Sequence, residues 1–594
     1  MTAAPPFSPR QFGPQLDANG VTFRLWAPGA KSVDVVMGDR RPMRRHNDGW
    51  FDLRVPGIGA GAHYRFRIDG ELDVPDPASA FQPDDVNGPS EVIDHAFGWS
   101  AQKWRGRPWH EAVILELHIG SFTPAGTYRA AIERLDDVVA AGFTAIELMP
   151  LADFYGRRNW GYDGVLLYAP DSTYGRPEDL KALVDAAHRR GLMVFLDVVY
   201  NHFGPEGNYL GRYAPQFFTD AVHTPWGSAI DYAVPQVREF AIENALHWIS
   251  NYHFDGLRLD AVHAIVKPGT PSVLVDLSRA VGAFAEANGR LVHLVLENDD
   301  NAAWLLDPLA PAAAGKYRAQ WNDDFHHAWH VLLTGEQRAY YRDYTDAPRH
   351  VARTLASGFA YQGEASKHRG GVARGEPSGH LPPTAFVSFL QNHDQIGNRA
   401  RGERLHQLAK DQRGIDAALT VMLLAPSPPL MFMGEEWGAN EPFPFFCDFA
   451  GDLASAVREG RRKEFKEQYI AGGNVDEIPD PLAEQTFRSA VLDWAARKKP
   501  PHSQRLALVT RLLAVRREQI IPRLAGGVAP GDARFVGTVL TAHWPLGGGE
   551  LALIANLSAD PAPRPRDASG VPIWGDAPPA NLPPWSVYWS WSKV

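Results

Sequence analysis

Cysteine is almost absent from this sequence of 594 residues, which contains only Cys447. A single cysteine cannot form an internal disulfide, and it cannot build a metal cluster from thiolates. A buried, inert cysteine is commoner than a cysteine nucleophile, so we expect no catalytic role for Cys447. Such low cysteine content is typical of a reducing compartment, and we predict a cytoplasmic protein.

Long hydrophobic runs are also missing. The most apolar segment, residues 420–433, is interrupted by Pro426, Pro428 and Pro429, whereas a membrane-spanning helix needs about 20 consecutive apolar residues. The opening residues MTAAPPFSPRQF lack the basic start and the apolar stretch of a secretory signal. We therefore expect neither membrane insertion nor export.

Clusters of positive charge are absent as well. The formal net charge is -10, and lysine and arginine are spread along the chain rather than grouped. A nucleic-acid-binding protein needs a basic patch to neutralise phosphates. We expect no nucleic-acid partner.

Three kinds of local pattern divide the chain. Residues 12–97 contain short alternating runs such as VTFRLWAP and AHYRFRID, separated by turn residues, which predict a small β-sandwich. From Trp109 onward, apolar strands alternate with helical stretches, and from Asp532 short β runs return. We predict three domains: an N-terminal β-sandwich, a catalytic domain and a C-terminal β-sandwich, over residues 1–97, 98–520 and 521–594.

The middle region contains eight apolar strand candidates, each followed by a loop or helix. Near-continuous Val, Leu, Ile and Phe indicate strands that are covered on both faces, and helices such as residues 174–190 and 235–250 supply the cover. This repetition predicts an α/β fold, a (β/α)₈ or TIM barrel. The candidate strands are residues 112–119, 143–150, 192–199, 254–260, 291–297, 317–322, 384–392 and 428–434.

Polar residues follow four of these strands. In a (β/α)₈ barrel the reactive side chains lie at the carboxyl ends of the strands, so residues from separate segments meet in one mouth. One such residue alone is as readily structural as catalytic, whereas four strand ends rich in carboxylate and histidine favour an active site. They carry Asp197, Asn201 and His202; Arg258, Asp260 and His263; Glu297; and Asn392, His393 and Asp394.

Two of these carboxyl groups suit the cleavage of a glycosidic bond. Arg258 and Asp260 are two residues apart on a strand, so they share a face, and the guanidinium keeps the carboxylate ionised as a nucleophile requires. Glu297 ends an apolar strand, where burial and a neighbouring carboxylate raise its pKa, as a general acid requires. Retention of configuration needs the two groups about 5–5.5 Å apart, and adjacent strands favour that spacing.

Asp394 is the third candidate carboxylate. Together with His202 and His393, it can hold the hydroxyl groups of the sugar beside the scissile bond while positive charge develops at the anomeric carbon.

Several aromatic residues and one histidine fit an extended sugar site. Tyr162 can stack on the reacting sugar, while Trp160, Trp226 and Trp321 are either platforms further along or core residues. His263 either donates a hydrogen bond to the next sugar or only anchors its loop.

Other chemistries find little support in the sequence. There is no HExxH motif or comparable zinc-ligand cluster. The glycine-containing segments GVARGEP and GIGAGAH lack the spacing and the Lys-Ser/Thr pair of a P-loop, so both are predicted to be turns.

Four short motifs, DVVYNH (197–202), GLRLDAVH (256–263), VLEND (295–299) and QNHDQIGN (391–398), resemble in order and spacing the four signatures of the α-amylase family of glycoside hydrolases. The front region, with GVTFRLWAPGAKSVDVVM, resembles the N-terminal domain of branching and debranching enzymes. The resemblance implies that Asp260 is the nucleophile, Glu297 the acid/base and Asp394 the transition-state stabiliser.

Longer segments indicate which members of the α-amylase family the chain resembles most. ELMPLADFYGRRNWGYDG, QWNDDFHHAWH and GEEWGANEPFPFFCDF are similar to members that cut the α-1,4 bond next to the terminal trehalose of maltooligosyl trehalose. Branching enzymes typically have SHDE in the fourth signature, whereas this chain has NHDQ, with Gln395 after Asp394. The alternatives are a glycogen branching or debranching enzyme, another α-1,4-glucan hydrolase, or a non-catalytic glucan-binding protein.

The resemblance implies an α-glucan oligosaccharide as the substrate and a synthase, which isomerises the reducing end of maltooligosaccharides, as the pathway partner. The family's calcium site is matched only by Asn201, so we predict no metal and no cofactor. The charged stretch 453–472 predicts a helix that either forms a lid or presents a solvated face. We predict a substrate-binding set of Tyr162, Asp197, His202, Trp226, Arg258, His263, Trp321, Asp324, His393 and Gln395.

Overall fold

The computed structural model describes residues 11–224, 227–265, 272–468, 478–565 and 570–593. Its centre is a sheet of eight parallel strands, numbered β1 to β8 along the chain. They are β1 (Ile114–Leu117), β2 (Ala145–Leu148), β3 (Met193–Val198), β4 (Gly256–Leu259), β5 (His293–Leu296), β6 (Ala319–Trp321), β7 (Phe386–Val387) and β8 (Leu430–Phe432).

The eight strands close into a barrel. Each pairs in parallel with the strand that follows it in the sequence, from β1 to β7. β1 also pairs with β8, with Ile114 opposite Leu430. A parallel bridge between Ser388 and Pro429 joins the ends of β7 and β8. The predicted (β/α)₈ barrel is confirmed.

Every residue of the eight strands is buried, because side chains fill the barrel on one face and helices cover the other. The predicted helices 174–190 and 235–250 are observed as Pro177–Arg189 and Pro235–Asn251, each with proline in its first turn, where the missing N–H has no partner to lose. Further helices are Leu135–Ala141, Val273–Ala287, Asp323–Thr334, Ala347–Ser357, Gln412–Leu424 and His502–Val515.

The seventh strand is much shorter than predicted. The sequence predicts residues 384–392, whereas β7 covers only two of these residues. A 3₁₀ turn, Pro383–Ala385, precedes it. After it, the Asn392 side chain accepts hydrogen bonds from the backbone N–H groups of Asp394 and Gln395 and starts a short helix, His393–Gly397.

Small β sheets flank the barrel, as predicted. At the front, one sheet contains Gly20–Trp26 and Trp50–Pro56, and a second contains Val33–Met37 and His63–Ile68. Their buried faces belong to the same hydrophobic core as the barrel helices. At the end, a five-stranded sheet contains Asp532–Val536, Val539–Leu546, Gly549–Asn556, Val571–Trp574 and Val587–Lys593.

A helix of 18 residues, Gly451–Gln468, follows β8 and lies beside the carboxyl end of the barrel. We call it the roof helix. Among the described residues, no helix is both long enough and apolar enough to cross a membrane.

Candidate active site

The carboxyl ends of the barrel strands open into one cavity of about 610 Å³. Residues that follow β3, β4, β5, β6 and β7 line it together with residues of the roof helix. The structure thus brings together most of the residues that the sequence singled out. These are Tyr162, His202, Arg258, Asp260, His263, Glu297, Trp321, His393 and Asp394.

Arg258, on β4, is the central cation of the site and is only 2% exposed. Its Nη1 atom donates to Oδ2 of Asp197 at 2.7 Å and to Oδ1 of Asp260 at 2.8 Å. Its Nη2 atom lies 3.6 Å from Oε2 of Glu297. Because Arg258 and Asp260 are two residues apart on an extended strand, the chain fixes this arrangement locally.

Asp260 is held at both carboxyl oxygens. Oδ1 accepts from Arg258, and Oδ2 accepts from Nδ2 of Asn201 at 3.0 Å. Since Asp260 and Glu297 contact two nitrogens of one guanidinium, their carboxyl groups are close neighbours across the cavity. That proximity is compatible with the short carboxyl separation of retaining glycosidases.

Glu297 has a raised pKa of about 7. Burial is the largest cause, and the negative charges of Asp260 and Asp394 act in the same direction, while Arg258 opposes them. The backbone N–H of Ala261 donates to Oε2 of Glu297 at 2.5 Å. Glu297 can therefore carry a proton near neutral pH and can also release it.

Asp394 is the second residue of the short helix after β7, and its side chain is exposed toward the cavity. Nδ2 of Asn398, one turn later, donates to its Oδ1 at 2.7 Å. The cavity walls withdraw the carboxyl group from bulk water, and this desolvation and the nearby charge of Asp260 raise the pKa of Asp394, while His393 opposes them.

His393 connects the seventh strand to the first. Its Nδ1 lies 2.5 Å from Oε1 of Glu116 on β1, and its backbone N–H donates to Oε2 of the same residue at 3.2 Å. Burial opposes the imidazolium, but the Glu116 carboxylate outweighs it, so the pKa of His393 is raised. The ring of Tyr162 stacks on His393 with centroids 5.0 Å apart.

His202 and His263 hold loops as well as lining the cavity. Nε2 of His202 contacts the backbone oxygen of Tyr162 at 2.9 Å, and burial lowers the pKa of His202. Nδ1 of His263 accepts from the backbone N–H of Asp299, which follows β5, at 3.3 Å. His263 therefore anchors its loop and also lines the cavity.

Three predicted substrate-binding residues do not line the cavity. Asp197 is buried beneath it and accepts from Arg258 and from the hydroxyl of Tyr162. Gln395 is turned back toward its own helix start, where its Oε1 accepts from the N–H of Asn392. Both side chains contact other residues of the site, and their predicted contact with the sugar stays a prediction.

The third is Asp324, which is fully buried on the far side of its helix. Oδ1 accepts from Nη1 of Arg374 at 2.6 Å, and Oδ2 accepts from the N–H groups of Ala360 and Tyr361 at 2.7 and 3.0 Å. These contacts join Asp324 to other parts of the protein. The preceding residue, Asp323, lines the cavity. Trp226 lies outside the described residues.

The predicted tryptophan platforms are largely buried. Trp321 is 1% exposed, and the guanidinium carbon of Arg258 lies 4.2 Å from the centroid of its ring. Trp321 thus supports Arg258 by a cation–π contact. Trp160 stacks on Phe443 at 5.3 Å and meets His393 edge-on. Neither ring offers a wide open face to a sugar.

Several residues that line the cavity were not singled out individually from the sequence: Asp323, Asn398, Phe445, Arg461 and Glu464. Two of them carried a usable signal, because Asp323 lies two residues after β6 and Asn398 lies in the fourth signature. Burial, followed by the charges of Glu297 and Asp394, raises the pKa of Asp323 well above its usual value. Arg461 and Glu464 come from the roof helix, so that helix closes the cavity from above.

The calcium ligand implied by the family resemblance does not fit here. The Asn201 side chain is fully engaged, with Oδ1 contacting Nδ1 of His202 at 2.5 Å and Nδ2 donating to Asp260. In the described ranges, no group of three or more His, Cys, Asp and Glu residues could hold a metal ion.

Comparison with known proteins agrees with this geometry. Residues 101–226 match the model of the alpha amylase catalytic domain, and residues 11–80 match carbohydrate-binding module 48, the isoamylase N-terminal domain. Residues 529–589 match a domain of unknown function, DUF3459. A crystal structure from Salmonella typhimurium that bears the name alpha amylase is 44% identical and superposes with a TM-score of 0.93, covering 99% of this chain and 100% of that one.

Curated relatives cover most of the chain. The malto-oligosyltrehalose trehalohydrolase of Deinococcus radiodurans is 44% identical over 554 residues, which are 91% of this chain and 88% of the relative. The enzyme of the same name from Saccharolobus solfataricus is 39% identical over 81% of this chain and 83% of the relative. The chain therefore belongs to the malto-oligosyltrehalose trehalohydrolase family of glycoside hydrolases, which carry an α-amylase catalytic domain.

Proposed function

We propose that this protein hydrolyses the α-1,4-glucosidic bond next to the terminal trehalose of maltooligosyl trehalose, with retention of configuration, and releases trehalose and a maltooligosaccharide. The observation that carries the chemistry is the pair of carboxyl groups, Asp260 and Glu297, on one guanidinium. The names of the relatives carry the choice of substrate.

In the first step, Asp260 attacks the anomeric carbon while Glu297 donates its proton to the glycosidic oxygen. The bond to trehalose breaks, trehalose leaves with that proton, and a covalent glycosyl ester forms on Asp260. The pKa of about 7 for Glu297 supports the role of proton donor.

In the second step, the ionised Glu297 takes a proton from a water molecule, whose oxygen attacks the anomeric carbon. The ester bond to Asp260 breaks, the shortened chain leaves, and Glu297 is again protonated. The N–H of Ala261 supports the anionic form of Glu297 between the two steps.

Asp394 lines the same cavity as Asp260 and Glu297, which supports its proposed role as the transition-state stabiliser. Its carboxylate can hold sugar hydroxyl groups in the transition state, with His393 and His202 as neighbouring donors. Tyr162, partly exposed and stacked on His393, offers its other face to the reacting sugar.

Recognition of trehalose needs a pocket wall beyond the scissile bond. The segments 321–327 and 435–448 contribute Trp321, Asp323 and Phe445 to the cavity. We propose Asp323 and Phe445, with Trp226, as candidates for the contact with the leaving disaccharide.

The decisive experiment is product analysis with the purified protein. Incubation with maltooligosyl trehalose should release trehalose, and plain maltooligosaccharides of equal length should be cut far more slowly. Equal cleavage of both substrates would contradict the trehalose specificity, and the appearance or loss of α-1,6 linkages would indicate a branching or debranching enzyme instead. NMR of the freshly released reducing end should show the α-anomer.

We further propose that the protein acts in the cytoplasm and follows a synthase that isomerises the reducing end of maltooligosaccharides. The low cysteine content supports the compartment, and the chemistry of the substrate supports the partner. The domain division at residues 97 and 520 is likewise a proposal, supported by the positions of the flanking sheets.

A further inference from the structure

The roof helix inserts one cation, Arg461, into the wall of the cavity. The side chain is 16% exposed and lies between two aromatic rings, with its guanidinium carbon 5.0 Å from the centroid of Phe445 and 4.7 Å from that of Phe465. Such stacking fixes the plane of a guanidinium. Arg461 is therefore held in one orientation rather than extended into solvent.

The fixed guanidinium points at the helix that carries Asp394. Nη2 donates to the backbone oxygen of Gly397 at 2.8 Å. Nη1 donates to Oδ1 of Asn398 at 3.2 Å and also contacts Glu464 at 3.1 Å. One arginine of the roof helix thus contacts Gly397, the last residue of the helix that carries Asp394, and Asn398, which directly follows it.

The contact to Asn398 determines which way its amide faces. A guanidinium can only donate hydrogen bonds, so the oxygen end of the amide must point to Arg461. The nitrogen end is then turned to Asp394, where Nδ2 donates to Oδ1 at 2.7 Å. If the amide were rotated, its oxygen would face a carboxylate oxygen and its NH₂ group would face a guanidinium, and both contacts would be lost.

We propose that Arg461 is a positioning residue for glycoside hydrolysis, because it fixes the Asn398 amide as a hydrogen-bond donor to Asp394. This inference rests on the proposed function, in which Asp394 stabilises the transition state. The roof helix then has two effects: it closes the cavity, and it orients one of the three carboxylates.

A purely structural role for Arg461 predicts a different outcome from the positioning role. If Arg461 only fastened the roof helix to Gly397, its loss would weaken substrate binding and stability, and Asn398 would act independently. If it acts through Asn398, the two residues form one unit and their effects on kcat do not add.

A double-mutant cycle with Arg461→Met and Asn398→Ala tests this coupling. A hydrogen bond to a charged group is lost in each variant, so we expect each single variant to lower kcat by about tenfold to a hundredfold with a much smaller change in KM. The double variant should equal the single variants. Additive losses in kcat, or a fall confined to KM, would overturn the proposal.

Arg462 provides the matched control, because it is the next residue of the same helix and is exposed. Arg462→Met removes the same charge and should leave kcat unchanged. An equal loss of kcat in Arg462→Met would show that the charge of the helix, rather than the contact to Asn398, is responsible, and would count against the proposal.

Asn398→Asp keeps the proposal falsifiable if Arg461→Met does not fold. The Arg461 guanidinium favours the ionised form of the new carboxyl group and donates to it, so the roof helix stays in place, but the ionised group has no proton to donate to Asp394. We expect kcat to fall at least as far as in Asn398→Ala while the melting temperature is retained. A wild-type kcat in Asn398→Asp would contradict the inference that the Asn398 amide must donate to Asp394.

All variants should be assayed on whichever α-glucan the wild-type protein cleaves. If the wild type does not release trehalose, the proposed substrate fails, but the coupling between Arg461 and Asn398 can still be measured on the substrate that is cut. Failure of the inference and failure of the proposed function are thus separate results.

Discussion

The backbone N–H of Ala261 donates a 2.5 Å hydrogen bond to Oε2 of Glu297. Ala261 directly follows Asp260 and has a φ of 40°, in the left-handed region that non-glycine residues seldom occupy. This backbone turn after β4 directs the N–H of Ala261, the residue next to Asp260, at the carboxyl group of Glu297. The relation between the two carboxyl groups is fixed by backbone as well as by Arg258.

Asp260→Asn removes the proposed nucleophile while nearly preserving its size, and its one amide oxygen can accept from either Arg258 or Asn201. We expect kcat to fall by about four orders of magnitude, because the covalent intermediate cannot form. Substrate binding, measured by calorimetry, should change much less. Glu286→Gln, on an exposed position of helix Val273–Ala287, is the control and should keep wild-type activity. Near-normal kcat in Asp260→Asn would contradict the assignment of the nucleophile.

The pH dependence of kcat/KM should follow the protonation of Glu297. Its pKa is raised to about 7, and only the protonated form can act as the acid, so activity should be present below pH 7 and fall as the pH rises through that value. Steady-state rates from pH 5 to pH 9 would measure this alkaline limb. If the rate stays constant up to pH 9, the proton donor is not a group with the properties of Glu297.

Asp323 should tolerate asparagine better than alanine. Burial and the charges of Glu297 and Asp394 raise its pKa well above the usual value, which favours the neutral form, and its Oδ1 accepts from Nε2 of Gln395 at 3.1 Å. Asn preserves both the neutrality and the acceptor, whereas Ala leaves Gln395 without its partner. We expect Asp323→Asn to retain most of kcat/KM and Asp323→Ala to lose about tenfold. The opposite order would mean that Asp323 works as an anion.

Asp324→Asn distinguishes a structural role from substrate binding. The burial of Asp324 is offset by the charge of Arg374 and by several hydrogen bonds, which lower its pKa. Removing one partner of a buried pair destabilises a protein by about 3–5 kcal/mol. We expect a clear fall in the urea midpoint, with KM of the remaining folded enzyme unchanged. A raised KM at wild-type stability would restore the substrate-binding role predicted from the sequence.

The sequence sufficed to predict the barrel and most of the candidate site. Strands that are buried on both faces must be apolar throughout, so their positions are visible, and the parallel barrel puts their carboxyl ends together. Asp260 and Glu297 could be placed in one cavity because each directly follows a strand, and Asp394 could be added because it lies in the segment that follows β7. Topology alone determines that they meet.

Side-chain direction beyond the strand ends could not be predicted. Asp323 and Asp324 are adjacent at a helix start, and only the position of Arg374, 50 residues later in the chain, decides that the second one is buried away from the cavity. The roof helix has the composition of a solvated helix, and its contact with Gly397 spans 64 residues. Such distant partners leave no local pattern.

The hydrogen bonds between Glu116 and His393 join the first strand of the barrel to the segment after the seventh, across 277 residues. A nascent chain cannot make them until most of the protein has left the ribosome, and β8, which completes the ring, emerges later still. Contacts that are so distant in sequence form slowly. Newly synthesised protein should therefore gain activity in a single late event rather than by degrees, and fragments that end before β7 should hold a nucleophile and a proton donor yet cleave nothing.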